Sequence, residues 1–248
     1  MKKNMDAFSL KWFTVLLMSI GTIMGNVAVM QLETAAEVGG KAWSMYYIGF
    51  ALYQMAFPLA AFLLVEGAAY TSDKKKFIKR LLLTALIVEL PLDLTQKGLA
   101  GVKEWGMSQN YFFTLALGVL VIWLVELSAE RFIAGSMKHN LLTLVIYLVA
   151  AFLAGFLHLE QGGVGILVIV ALYLFRGNNF LSLLAVFALY LLFMGNYGLL
   201  GVLPALSILF TWMYNGNEGP HSGRMRLILY AAYPVVCCVY GVISLLIW

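Results

Sequence analysis

Charge is what this chain has least of. Only 11% of its 248 residues are Asp, Glu, Lys or Arg, against roughly a quarter in soluble domains, while 62% are hydrophobic and the mean hydropathy is +0.90. That balance excludes a soluble catalytic or binding domain and leaves a polytopic membrane protein. Cysteine is scarcer still: Cys237 and Cys238 stand side by side in the last apolar run. They offer neither a metal-ligand spacing nor an ordinary disulfide, so packing or lipid contact is expected of them. The three histidines are poorly spread for catalysis, with His139 and His221 in predicted cytoplasmic loops and His158 at a helix end beside Glu160. There is no HExxH, CxxC or Ser-His-Asp ordering, so neither a metal nor a nucleophilic triad is expected. The net charge of +4 and pI near 9.0 come without a basic face interleaved with aromatics, which excludes nucleic acid as a partner.

What is present is apolar run after apolar run. A bilayer crossing takes about 20 apolar residues in a helix, and that ruler marks nine segments: 12–31, 43–70, 77–94, 110–129, 140–157, 162–175, 179–194, 198–214 and 225–247. The sixth and seventh are short and read as a tilted or partly re-entrant pair. Lys2 and Lys3 before the first run imitate a signal peptide, but the run from Trp12 to Met30 is long for one and no small-residue cleavage pattern follows. The fold class expected is all-α, a single membrane helix bundle over 1–248.

Charge then orients the bundle. With nine crossings, Lys2, Lys3, Lys11, Lys74, Lys75, Lys76, Lys79, Arg80, Arg131, Lys138, Arg176, Arg224 and Arg226 fall on one side, and only Lys41, Lys97 and Lys103 on the other. The positive-inside rule puts the N-terminus in the cytoplasm. Trp105, Tyr111, Trp212, Tyr214 and Trp248 fall near segment ends, where aromatic rings anchor at the headgroup level.

The central stretch, 57–93, is two apolar segments joined by a basic turn, and it holds the carboxylates. A charge at a helix centre costs about 2.5–3.5 kcal/mol on insertion scales. Glu66 lies shallow, within reach of Lys74, Lys76 or Arg80. Glu89 is past the midpoint and shares a face with Asp93 four residues on, and Pro91 between them removes a helical donor. Gln161-Gly162-Gly163-Val164-Gly165 opens a helix without following a strand, which fits a tight turn or close packing better than a phosphate loop. Tyr214-Asn215-Gly216-Asn217-Glu218-Gly219-Pro220 reads as a turn suited to left-handed backbone, and Tyr233-Pro234 as a kink in the last helix.

These stretches resemble the TraX family, polytopic proteins named for a conjugation-system member that acetylates the N-terminus of pilin. The likeness is carried by AFPLAAFLLVEGAAYT (56–71), RLLLTALIVELPLD (80–93), QNYFFTLALG (109–118), GGVGILVIVALYLFRG (162–177), YNGNEG (214–219) and YPV (233–235). It implies a bacterial cytoplasmic-membrane protein, similar to acyltransferases that take an acyl group from cytoplasmic acyl-CoA or acetyl-CoA. The donor's phosphates would then meet Lys74, Lys75, Lys76 and Arg80. The family pattern also has an Asp-His pair in the first helix, an Arg just before AFP and a His two residues after YP. This chain has Gly21 and Thr22, Gln54, and Val236 in those places.

Two readings follow. In one, the chain transfers a short acyl group to an amine or hydroxyl, with Glu66, Glu89 and Asp93 as the carboxylate machinery and Gln54, Asn110 and Tyr233 lining the substrate cavity. In the other it is a silent relative, a partner subunit for another membrane protein or a scaffold for membrane lipids. Losing both family histidines favours slow turnover at best. A transporter is disfavoured because the short pair at 162–194 has no counterpart in another half.

Overall fold

The computed structural model describes residues 3–34, 40–97, 109–219 and 222–247. Lys2, Lys103, Trp105, His221 and Trp248 lie outside the described residues. In chain order the helices are α1 (Ala7–Thr34), α2 (Gly40–Tyr70), α3 (Lys74–Lys97), α4 (Tyr111–Arg131), α5 (Met137–Phe156), α6 (Gly162–Leu174) and α7 (Asn179–Met194). A 3₁₀ turn (Gly195–Tyr197), the short α8 (Leu199–Val202), a 3₁₀ helix (Leu203–Met213) and α9 (Gly223–Ile247) complete the chain. The described residues form no sheet, as expected where lipid leaves backbone groups to be satisfied within each segment.

Each of the nine apolar segments coincides with helical backbone, several helices starting three to five residues early and one segment differing in type. α1 starts at Ala7 because Asp6 caps it, its Oδ1 accepting the Ser9 N–H at 2.7 Å. Asp73 does the same for α3 through the Lys76 N–H at 2.9 Å, which carries the helix back through the three lysines. The eighth segment is not one α-helix. Gly198 takes φ +66, Pro204 follows, and the 3₁₀ stretch runs for 11 residues where 3–4 is usual.

Among the described residues, six helical spans are long and apolar enough to cross a membrane: Ala7–Val29, Gly40–Tyr70, Tyr111–Arg131, Met137–Phe156, Asn179–Tyr197 and Ile228–Leu246. The chain is a multi-pass membrane protein. α6 and Leu199–Met213 are too short for that measure, and α3 spends its first turns on Lys and Arg.

α2 is the centre of the bundle. Its run from Ala56 to Leu59 is buried, as are Ala61, Leu64, Val65 and Ala68, and the core around Phe57 takes in Leu10, Tyr111, Ile169, Tyr190 and Ile208. α5 sits at the rim, with Leu148, Phe152 and Phe156 exposed to the surrounding lipid. α1 and α2 touch backbone to backbone: a Cβ on Gly21 would lie 2.5 Å from the Tyr53 nitrogen, and one on Gly49 2.6 Å from the Gly25 nitrogen. Close approach through small residues is how helices associate where lipid provides no hydrophobic drive.

The turn at 214–219 wraps the start of α1. Met5 and Ala7 donate to the Met213 and Asn217 carbonyls at 2.9 and 2.8 Å, and Gly216 and Gly219 adopt φ +84 and +81. Of the cysteines, Cys237 is buried and Cys238 exposed. His139 is less solvated than its predicted loop implied: it falls in the first turn of α5, its Nδ1 3.0 Å from the Ser128 hydroxyl.

Candidate functional site

The basic turn and the deep carboxylates occupy opposite ends of α3. Glu89 lies fifteen residues beyond Lys74, roughly 22 Å at about 1.5 Å per residue. The two groups of predicted site residues therefore belong to two places.

At the basic-turn end, Glu66 does not pair with Lys74, Lys76 or Arg80. Its Oε1 accepts from Arg176 Nε at 2.7 Å, and the guanidinium also lies 5.3 Å over the Tyr70 ring. Lys74 is taken by Glu126 at 3.0 Å, and Lys75 sits 5.5 Å over the Trp123 ring. Helix packing brings α4 and the turn after α6 against these groups, and Lys74 also donates to the Thr71 carbonyl at 3.1 Å. Lys75, Lys76 and Arg80 are exposed.

At the other end a cavity of about 500 Å³ opens between α1, α2, α3 and the start of α4, lined by Gly21, Thr22, Gln54, Asp93, Asn110 and Glu160 among others. Asn110 is the N-cap of α4, its Oδ1 accepting the Phe112 N–H at 3.0 Å. Its Nδ2 donates to the Ala85 carbonyl at 2.9 Å and to Glu89 Oε2, which also accepts the Asn110 backbone N–H at 3.1 Å. Glu89 is thus held behind the cavity wall, and its Oε1, like Asp93 Oδ2, has no hydrogen-bond partner among the described residues. Tyr233 borders the cavity through Thr22, their hydroxyls 3.1 Å apart. Val236 is absent from its described lining.

Glu160 is the group that sequence reasoning left in a loop. The turn carrying it docks on Gln109: the Glu160 N–H donates to the Gln109 carbonyl at 2.7 Å, and the Gln109 N–H to the His158 carbonyl at 2.9 Å. His158 and Gln161 bracket the turn in left-handed backbone, φ +52 and +66, a conformation non-glycine residues hold at a cost and often at functional positions. Gly163 packs there against the Ala151 carbonyl and Gly165 against Thr114 and Phe57, leaving no room for a Cβ. The Thr114 hydroxyl donates to the Glu160 carbonyl, and Tyr53 donates to Glu160 Oε2 at 2.9 Å. Burial pushes the Glu160 carboxyl up to about 7, with the Glu89 charge adding to it and the Tyr53 hydrogen bond opposing it. Gln161 reaches back to hydrogen-bond the Gln54 side chain.

No Lys, Arg or His lines this cavity among the described residues, and no group of His, Cys, Asp and Glu among them is arranged to hold a metal ion. The chemistry available is that of carboxyl, amide and hydroxyl groups in a partly dry pocket.

A family model described as "TraX protein" matches residues 7–244. The chain belongs to the TraX family. Neither a curated protein nor a solved structure matches it. For this TraX protein, three of the four positions at which the resemblance notes departures now share an address: Gly21, Thr22 and Gln54 line the acidic cavity, and Val236 does not.

Proposed function

We propose that this TraX protein is an acyltransferase whose transfer site is the acidic cavity, with Glu160 as the base. It would move acetyl or another short acyl group from acyl-CoA to an amine or hydroxyl. The observation that carries this reading is a carboxyl poised near 7 in the same cavity as Thr22 and Gln54, two positions where the family pattern has a histidine and an arginine. A base titrating near the working pH is what proton abstraction requires.

In the step proposed, Glu160 takes the proton from the acceptor's N–H or O–H. The freed lone pair attacks the thioester carbonyl, the C–S bond breaks, and the departing CoA thiolate takes the proton back from the Glu160 carboxyl, restoring the carboxylate. Gln54 and Asn110 supply amide groups at the cavity wall, and Glu89 acts through Asn110 as a positioning residue. The donor's phosphates would be repelled by Asp93 and Glu160. They are assigned to Lys75, Lys76 and Arg80, so only the uncharged acyl arm extends along α3. This fits nine crossings of a bacterial cytoplasmic membrane with the N-terminus inside, the basic residues gathering at one end.

The silent-relative reading has its own support: Thr22 cannot act as a base, and its hydroxyl is engaged by Tyr233. Release of free CoA thiol from acetyl-CoA by the reconstituted protein, in the presence of simple amine and alcohol acceptors, decides between the two. Turnover that Glu160→Gln lowers by about 10²-fold or more, and Glu66→Gln leaves near the parent rate, supports the transferase. No turnover by the parent leaves the partner-subunit or lipid-scaffold role.

A further inference from the structure

A second cavity of about 630 Å³ lies on the other side of Gln54 and shares Tyr46, Phe50 and Gln54 with the acidic one. Its size is within the 300–1,000 Å³ of small-molecule sites. No Asp, Glu, Lys, Arg or His lines it among the described residues. We infer that this cavity binds an uncharged lipid, an aliphatic chain ending in a hydroxyl or ester, admitted sideways from the bilayer.

Backbone irregularity is the first support. Between Met194 and Pro204 the chain passes from α-helix through a 3₁₀ turn, a left-handed Gly198 and a four-residue helix into a 3₁₀ run. Met194, Tyr197, Gly201 and Pro204 of this irregular stretch all line the cavity, a setting in which a membrane protein tolerates non-helical backbone.

Polarity without charge is the second. Tyr190 donates to Gln161 Oε1 at 3.5 Å, and Gln161 in turn donates to Gln54. This relay of uncharged groups can accept and donate, and the rest of the described lining adds only tyrosine hydroxyls and apolar surface, with no formal charge to pair an ionic headgroup. The neighbouring carboxylates Asp93 and Glu160 disfavour an anionic headgroup beside the relay, which separates a neutral lipid from a fatty acid.

The mouth is the third. Tyr47, on α2, is 44% exposed and Tyr197, in the 3₁₀ turn after α7, 68% exposed, so the cavity opens at the surface between these two elements. In the proposal, an apolar chain enters here from the side of the bundle.

The proposal goes beyond acyl transfer and stands without it, because binding is read with no acyl donor present. In phosphatidylcholine nanodiscs, a long-chain alcohol carrying a mid-chain diazirine is photolysed, alongside the carboxylic acid of equal length with the same diazirine, and labelled peptides are mapped. The alcohol should label 46–54 and 190–204, and the acid about tenfold less or weaker still. Leu200→Trp, which fills the cavity, should abolish that labelling and leave labelling at the lipid-facing Leu148 and Phe152 of α5 unchanged. Equal labelling by both probes, or labelling indifferent to Leu200→Trp, overturns the inference. Should Leu200→Trp fail to fold, competition in the parent protein serves instead. Excess unlabelled alcohol must suppress labelling at 46–54 and 190–204 and spare α5, and a failure to suppress overturns the inference equally.

Discussion

Glu89 holds Asn110 twice, its Oε2 accepting both the backbone N–H at 3.1 Å and the side-chain amide. Since Asn110 caps α4 and also reaches the Ala85 carbonyl, this one carboxylate fastens the middle of α3 to the start of α4. Its partner is an amide, not a cation.

Glu89→Leu therefore strands a buried amide donor and should destabilise the protein by about 1–3 kcal/mol. Glu89→Gln keeps an acceptor oxygen and should cost less. Thermal melts in one detergent compare the two, and a leucine variant that melts with the parent would refute the coupling of α3 to α4 through this pair.

Glu160 makes stability and activity depend on pH in opposite senses. Its carboxyl is raised from 4.5 to about 7, so the folded protein holds the proton more tightly than the unfolded chain. Stability from this group is fully present below about 4.5, falls as pH rises to about 7, and then levels. The proposed base works only when ionised, so the transfer rate should climb through the same pH range. Glu160→Gln keeps the Tyr53 hydrogen bond but cannot titrate; it should flatten the fall in melting temperature and remove the climb in rate. A parent melting temperature independent of pH between 4.5 and 7 would show that the carboxyl is not raised.

Much of this was legible in sequence because a bilayer imposes one rule on every segment. Apolar runs became helices, Glu89 and Asp93 stood out as carboxylates such a run has no cheap reason to keep, and Gln54 stood out only through the family resemblance. Position along one helix was legible too, since Glu89 and Asp93 share a face. Partners were not. Lys74 is near Glu66 in sequence but bonds Glu126, and Glu66 takes Arg176, 110 residues away. Tyr53 and Glu160 are 107 residues apart, so only the docking of the 158–161 turn on Gln109 turns a loop carboxylate into a cavity wall. The break at Gly198 was missed because hydropathy counts apolar residues and is indifferent to a positive φ.

Orientation is open to a direct measurement. Lys41 and Lys75 are both exposed and lie at opposite ends of the bundle. With the N-terminus inside, a membrane-impermeant maleimide applied to intact cells should label Lys41→Cys and leave Lys75→Cys untouched until the cells are opened. The reverse pattern would invert the bundle and move the basic turn away from cytoplasmic acyl-CoA.

The glycines of the α1–α2 contact provide a matched set. A methyl at Gly21 would meet the Tyr53 backbone at 2.5 Å and the Gly49 carbonyl at 2.7 Å, and one at Gly49 the Gly25 nitrogen at 2.6 Å, whereas a methyl at Gly25 meets nothing within 4 Å. Backbone cannot swing aside as a side-chain tip can, so Gly21→Ala and Gly49→Ala should each cost about 1–3 kcal/mol. Gly25→Ala should be neutral or stabilise by up to about 1 kcal/mol through helix propensity. The same contact explains why an aspartate at position 21 is not simply restorable: Gly21→Asp should separate α1 from α2 and melt below Gly21→Ala. Melting temperatures of the four variants test the series, and equal behaviour of Gly21→Ala and Gly25→Ala would show that the two helices do not meet backbone to backbone beside the cavity.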